Sequence, residues 1–196
     1  MAIVIWVDGP VCIGKTETSQ ALLRRLAGYS SIYLDSDEYY EIYKKTHWEL
    51  LLKKQDEPKK GESELFKIAA PSFINNDFII YFKTIIQEAI QANSITIVAM
   101  SLGTEQAKTL LFDPISKITN VFHVVLYLDK MAHLQRIKNS GRDNISFARN
   151  WREKLYDFAE KHYPSSIWIK IDGKIPEEIA DEFLERSSFF GKLNHK

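Results

Sequence analysis

One stretch, Gly9-Pro10-Val11-Cys12-Ile13-Gly14-Lys15-Thr16, leaves this chain little freedom in how it starts to fold. It satisfies G-x-x-x-x-G-K-[ST], the Walker A pattern, at every fixed position. An unbroken apolar run, Ile3 to Val7, precedes it and reads as a strand buried on both faces of a parallel sheet. Lys15 to Leu26 follows as a helix, with Ala21, Leu22, Leu23 and Leu26 as its apolar stripe and Gly28 as its C-terminal cap. A strand, a glycine-bearing loop and a helix in that order turn successive backbone N–H groups toward one anion at the positive end of the helix. A chance match in a tight turn would lack both flanking elements.

Each residue type in the loop has a physical job. The glycines let the backbone curl, Lys15 reaches the β- and γ-phosphates of a nucleotide, and the Thr16 hydroxyl ligates Mg²⁺. Gly9, Pro10, Val11, Cys12, Ile13, Gly14, Lys15, Thr16 and Glu17 are therefore the expected nucleotide-binding residues. A helix N-terminus lowers a thiol pKa, which opens a redox role for Cys12. The simpler reading is a small residue at a variable loop position.

Strands and helices keep alternating along the chain. Ser31–Leu34, Ile95–Met100, Val121–Leu128 and Ile167–Ile171 read as four further strands. Helices are expected from Ser36, over Ser72–Ala92, from Asp129 through Asn139, over Phe147–His162 and from Pro176 to about Arg186. This implies a three-layer α/β fold, a five-stranded parallel sheet with right-handed crossovers and helices on both faces. A chain of 196 residues that is 45% hydrophobic fits one domain, residues 1–188, with a loosely attached tail from Phe189 to 196. The charged segment Lys53 to Glu64 reads as a solvated connection.

Charge and cysteine content exclude several classes. With 26 basic and 26 acidic residues there is no global field for nucleic acid. A single cysteine excludes an intrachain disulfide and a cysteine metal site. The N-terminus lacks the basic region of a signal peptide, and no apolar run approaches the ~20 residues that span a bilayer. A cytoplasmic protein without membrane contact, monomeric or homodimeric, is expected. The five histidines show no metal spacing, and His123, inside a strand, reads as a satisfied core residue.

A second constellation follows the second strand: Tyr33-Leu34-Asp35-Ser36-Asp37-Glu38. Ligands bind at the carboxyl edge of open α/β sheets. With the second strand close to the first, one carboxylate could hold Mg²⁺ and the other accept the proton of an attacking hydroxyl. Ser36, Asp37 and Glu38 also suit a helix N-terminus, which is compatible with catalysis.

Together, Gly9 to Thr16 and Asp35-Ser36-Asp37 resemble the P-loop small-molecule kinases. Asp-Ser-Asp is similar to the shikimate kinase D-x-D motif. Ile5-Trp6-Val7-Asp8-Gly9 through Lys15-Thr16-Glu17-Thr18 resembles the tunicamycin-resistance ATP-binding proteins, and chloramphenicol phosphotransferases and gluconate kinases share the layout. The resemblance is firm over residues 3–40 and weaker to about 150. It implies an adenylate-kinase-like sheet, ATP or GTP as donor, Mg²⁺, and phosphoryl transfer to a small-molecule acceptor. By the shikimate kinase likeness Asp35 serves mainly the metal and Asp37 mainly the acceptor hydroxyl. In the chloramphenicol phosphotransferases the acid at Asp35 is the one that looks like the base. Shikimate kinases carry three glycines after the third strand, where this chain has Ser101-Leu102-Gly103, a departure that argues against shikimate.

The resemblance also implies a lid that brings cations over the migrating phosphoryl group. Ser140-Gly141 breaks the helical pattern, so a lid is expected over about residues 136–150, with Arg136 and Arg142 as its arginines. Arg149 and Arg152 read as surface or auxiliary charges. No acid ends the third strand, so the metal leans on Thr16 and the strand-two acid, with Ser101 or Thr104 free to contact substrate. The helical region of about residues 36–92 should cover the acceptor. Its Tyr39, Tyr40, Tyr43, Trp48, Phe66, Phe73, Phe78 and Tyr81 form either a ring-binding pocket or a core stripe. The expected catalytic set is Lys15, Asp35, Asp37, Arg136 and Arg142. The expected activity is an ATP- or GTP-dependent phosphotransferase acting on a hydroxyl. The alternatives are a nucleoside or nucleotide kinase and a non-catalytic ATP-binding resistance or regulatory protein.

Overall fold

Every residue of β1 (Ile3–Asp8) is buried, as its apolar run requires. It lies at the middle of the computed structural model, which describes the backbone of residues 2–53, 72–141 and 145–193. α1 (Lys15–Arg25) follows the loop, then β2 (Ser31–Asp35) and α2 (Ser36–Lys53). A 3₁₀ turn (Ser72–Ile74) leads into α3 (Asn76–Ala92) and β3 (Ile95–Ala99). The helical segment α4 covers residues 105–116, and β4 (Asn120–Tyr127), α5 (Lys130–Asn139), α6 (Ile145–His162), β5 (Ile167–Lys170), α7 (Pro176–Arg186) and α8 (Phe189–Leu193) complete the described chain.

All strand pairs are parallel, in the order β2-β3-β1-β4-β5. β2 therefore does not neighbour β1 as expected: β3 lies between them, with Ile5 opposite Ile97 and Tyr33 opposite Ile97 on its other side. The chain runs outward from β1 on one side and resumes at β4 on the other. That reversal opens a crevice at the carboxyl end of β1.

Alternate residues of β1 feed two cores, because successive side chains of a strand point to opposite faces. Ile3, Ile5 and Val7 pack with Leu22 and Leu26 near α1 and with Ile179 and Phe183 of α7. Val4 and Trp6 pack with Phe78, Phe82 and Ile86 of α3 and with Leu111 and Ile115 of α4. Arg24–Glu177 and Arg25–Asp181 pairs at 2.5 and 2.7 Å join α1 to α7 at the surface.

Several boundaries differ from the sequence reading, each for a local reason. Gly28 is not a left-handed cap: α1 closes at Leu26 with φ −101°. The stretch from Ser72 breaks at Asn75, whose side chain accepts from Phe78 N–H at 3.0 Å and so starts a new helix. Asp129 holds the N-cap position of α5, but its carboxylate takes the Lys170 ammonium at 2.8 Å instead of capping. α4 was not expected. Its middle, Lys108–Phe112, is π-helical, and the Phe112 ring meets Trp6, His123 and Tyr163. Phe189 is fully buried against Phe122 and Phe183, so the tail is not loose where it begins. Residues 54–71, most of the expected charged connection, lie outside the described residues.

Candidate phosphate-binding site

The loop between β1 and α1 rests on its two fixed glycines. Gly9 has φ +140°, and a Cβ there would stand 2.8 Å from the Leu126 carbonyl oxygen. Gly14 has φ +103°, and its Cβ would stand 3.2 Å from an Arg136 guanidinium nitrogen. Other L-residues rarely adopt such backbone, and neither approach leaves room for a side chain. Cys12 also lies at positive φ, +59°, with its sulfur 3.5 Å from the Ser140 hydroxyl at the end of α5.

Polar contacts hold the loop from below. Asp8 is buried; one carboxylate oxygen accepts from the Gly9 and Leu102 N–H groups, and the other faces His123 Nε2 at 3.1 Å. Ser101 Oγ donates to the Gly9 carbonyl at 2.8 Å. His133 of α5, fully buried, donates from Nε2 to the Val11 carbonyl at 2.8 Å, while its Nδ1 has no partner among the described residues. Burial first, and then the nearby cations Arg152, Lys15 and Arg136, hold the His133 pKa below its ordinary value despite the Val11 bond.

Lys15 turns back on the loop and donates to the Gly9 and Pro10 carbonyls at 3.0 and 3.1 Å. Burial lowers its pKa, and the charges of Asp37, Asp8 and Asp35 offset that only in part. Thr16 Oγ1 donates to Asp35 Oδ2 at 2.9 Å, and the same oxygen accepts from the Tyr33 hydroxyl. Asp35 Oδ1 accepts from Asp37 N–H at 2.9 Å, so Asp35 caps α2 in place of Ser36. Burial, then Asp35, raises the Tyr33 pKa, which keeps this phenol a donor. Asp35 is buried and Asp37 is exposed.

These groups border one cleft of about 270 Å³. Val11 to Glu17, Asp35, Asp37 and Arg136 all line it, with Ser36, Ala99 and Ser140. Gly9 and Pro10 join through their carbonyls on Lys15. The Arg136 guanidinium makes no hydrogen bond or ion pair among the described residues. Arg142 lies outside the described residues, as does the side chain of Arg149. Arg152 is buried, donates to the Leu128 carbonyl and stacks over Tyr156 at 4.9 Å. Thr104 caps α4 and donates to the Phe73 carbonyl rather than entering the cleft. Tyr40, Tyr43, Phe73 and Phe78 are buried core residues, and Tyr39 and Tyr81 pack against the same core. Phe66 and the Trp48 side chain are outside the described residues.

Sequence reasoning missed Asp8, Tyr33 and His133. Each left a faint signal: an acid ending an apolar strand, a tyrosine two residues before Asp35 on the same strand face, and a histidine one helical turn before Arg136.

No protein-family model matches the chain, and no curated protein matches it in sequence. Solved structures do. A tunicamycin resistance protein from Deinococcus radiodurans superposes with a TM-score of 0.63 at 18% identity, over 95% of this chain and 96% of that one. Shikimate kinase from Aquifex aeolicus gives 0.56 at 20% identity, over 98% and 99% of the two chains. A gluconokinase from Sinorhizobium meliloti 1021 gives 0.60 at 14% identity, over 99% and 97%. The fold is that of the P-loop small-molecule kinases. At these identities the likeness concerns the fold. Among the described residues of this P-loop kinase fold no helix is long and apolar enough to cross a membrane.

Proposed function

We propose that this chain is a phosphotransferase that moves the γ-phosphate of ATP or GTP to a hydroxyl of a small molecule. The observation that carries the reading is the convergence of Lys15, the Thr16–Asp35 pair, exposed Asp37 and uncommitted Arg136 on one cleft at the mouth of the loop. The structural neighbours include proteins titled shikimate kinase and gluconokinase, which supports kinase chemistry for this chain.

In this reading Lys15 leaves its two carbonyls for the phosphates, which compensate its buried charge better than neutral oxygens do. Thr16 and Asp35 are the residues that would hold Mg²⁺; two oxygen donors with phosphate oxygens and waters suit this hard cation. Mg²⁺, when bound, neutralises charge on the phosphate oxygens. The acceptor oxygen forms a bond to the γ-phosphorus as the bond to the β,γ-bridging oxygen breaks, and ADP or GDP leaves. Asp37, exposed at the start of α2, takes the acceptor's proton. Arg136 stabilises the charge spread over the transferred group.

The test is calorimetric binding of a non-hydrolysable ATP analogue with Mg²⁺, followed by an ADP-release screen over nucleosides, sugars and aminated antibiotics. Acceptor-dependent ADP release, lost in Asp37→Asn while nucleotide binding persists, is the expected result. Tight ATP binding without turnover on any acceptor would instead mark a nucleotide-binding regulatory protein, and a strict dependence on base identity a nucleoside or nucleotide kinase.

A further inference from the structure

Asp35 carries more donors than an ordinary helix cap needs. Its Oδ1 is satisfied by Asp37 N–H, and its Oδ2 already accepts the Thr16 hydroxyl. A third donor, the Tyr33 hydroxyl, reaches the same Oδ2. Tyr33 and Asp35 are two residues apart on β2, so their side chains share one face of the sheet. The Tyr33 ring packs against the core formed by β1, α1 and α7. The phenol is thus a rigid arm, anchored in the core and ending on the oxygen that faces Thr16.

We propose that Tyr33 is a positioning residue for the metal site: it holds Asp35 Oδ2 against the Thr16 hydroxyl, so that Mg²⁺ meets two oxygens already in place. This rests on the phosphotransferase reading of the cleft. A carboxylate held only by Thr16 at Oδ2 can rotate about its Cβ–Cγ bond when Thr16 turns a lone pair to the metal. Tyr33 removes that freedom before the metal arrives. Partners that orient a metal-binding carboxylate in this way typically carry a ~10–100-fold effect on metal affinity.

Tyr33→Phe removes the hydroxyl and keeps the anchoring ring. The experiment measures the affinity of a fluorescent ADP analogue while Mg²⁺ is titrated, beside the same measurement in EDTA. The expected result is a Mg²⁺ requirement raised about tenfold, with unchanged affinity in EDTA and an unchanged melting temperature. A Mg²⁺ titration that superposes on wild type would overturn the proposal. The double variant Tyr33→Phe/Asp35→Asn should be no worse in its Mg²⁺ requirement than Asp35→Asn alone, because Tyr33 acts only through Asp35. Additive losses would equally overturn it. A wild-type chain whose ADP binding ignores Mg²⁺ would remove the reading of the cleft itself, and the role of Tyr33 with it.

Discussion

The Asp8 carboxylate and the His123 ring meet 3.1 Å apart beneath the phosphate loop, both buried. Ser166 gives its only proton to the Tyr163 carbonyl, so it accepts from His123 Nδ1. His123 Nε2 then faces Asp8 across one shared proton. Asn at position 8 would satisfy the same geometry without that proton, its amide donating to Nε2 and its oxygen accepting from Gly9 and Leu102. Asp8→Asn is therefore expected to change stability by less than about 1 kcal/mol, the scale of one net hydrogen bond. Asp8→Ala strands two buried N–H groups and should cost ~1–3 kcal/mol for each. Urea denaturation of both variants decides this; equal damage would show that charge, not hydrogen-bond geometry, holds the loop.

Lys15 predicts a trade between stability and binding. Its charged form is less favourable in the folded chain than in water, because burial outweighs Asp37, Asp8 and Asp35. Lys15→Met keeps the apolar stem and removes the charge. Without nucleotide it should melt above wild type at neutral pH, and ATP should no longer raise its melting temperature. A melting temperature below wild type would contradict the burial argument.

His133 predicts an acid limit. Its folded pKa is depressed below 6.5, so as pH falls through that value the unfolded chain takes up the proton first. Stability should therefore decline from about pH 6.5 downward. His133→Gln can still donate to the Val11 carbonyl but does not titrate. Melting curves between pH 7.5 and about 5 should be flatter for this variant than for wild type. Parallel curves would assign the acid loss to other groups.

Arg136 predicts a kinetic signature once an acceptor is known. A guanidinium without a partner among the described residues, at the rim of the loop, is available to the transferred group. Arg136→Ala should lower kcat by ~10²-fold or more and leave ADP affinity within a few-fold. Arg142→Ala, measured alongside, tests the second expected lid arginine. A full kcat in Arg136→Ala would reduce Arg136 to a helix-surface charge.

Gly103 predicts a steric coupling. A Cβ there would lie 2.0 Å from Leu155 Cδ2 and 2.8 Å from its Cγ. Gly103→Ala should destabilise by ~1–3 kcal/mol through overpacking. Leu155→Ala opens that space, so the double variant should be less damaged than the two single losses summed. Simple additivity would mean that α6 shifts to admit the methyl group.

The fold was most legible where it is local. The β1–loop–α1 unit follows from neighbours in sequence, and the apolar run, the glycine spacing and the helical stripe all agree. Strand order was not legible, because nothing within Ser31–Asp35 says whether its partner is β1 or β3. α4 escaped for a physical reason. Its buried residues Ala107, Leu111 and Ile115 recur every four positions, a spacing that drifts by about 80° over two repeats on a regular α-helix. At the site, Lys15, Thr16, Asp35 and Asp37 were found by motif and Arg136 by its place beside a helix break. Tyr33, His133 and Asp8 became visible only through their partners, since a hydrogen bond to a distant carbonyl leaves no pattern in the chain.

The π-helical turns at Lys108–Phe112 make residue count, more than residue type, the sensitive variable in α4. Wider turns absorb the drift of a four-residue repeat and keep Ala107, Leu111 and Ile115 in one line toward the sheet. Deleting a single residue there would let the segment wind as an ordinary α-helix and rotate all that follows by about 100°. Ile115 would leave the core, and the ring of Phe112 would leave Trp6 and His123. Substitutions at Lys108 or Thr109 would be absorbed where that deletion would not, so the wound segment works as a length gauge between β3 and β4.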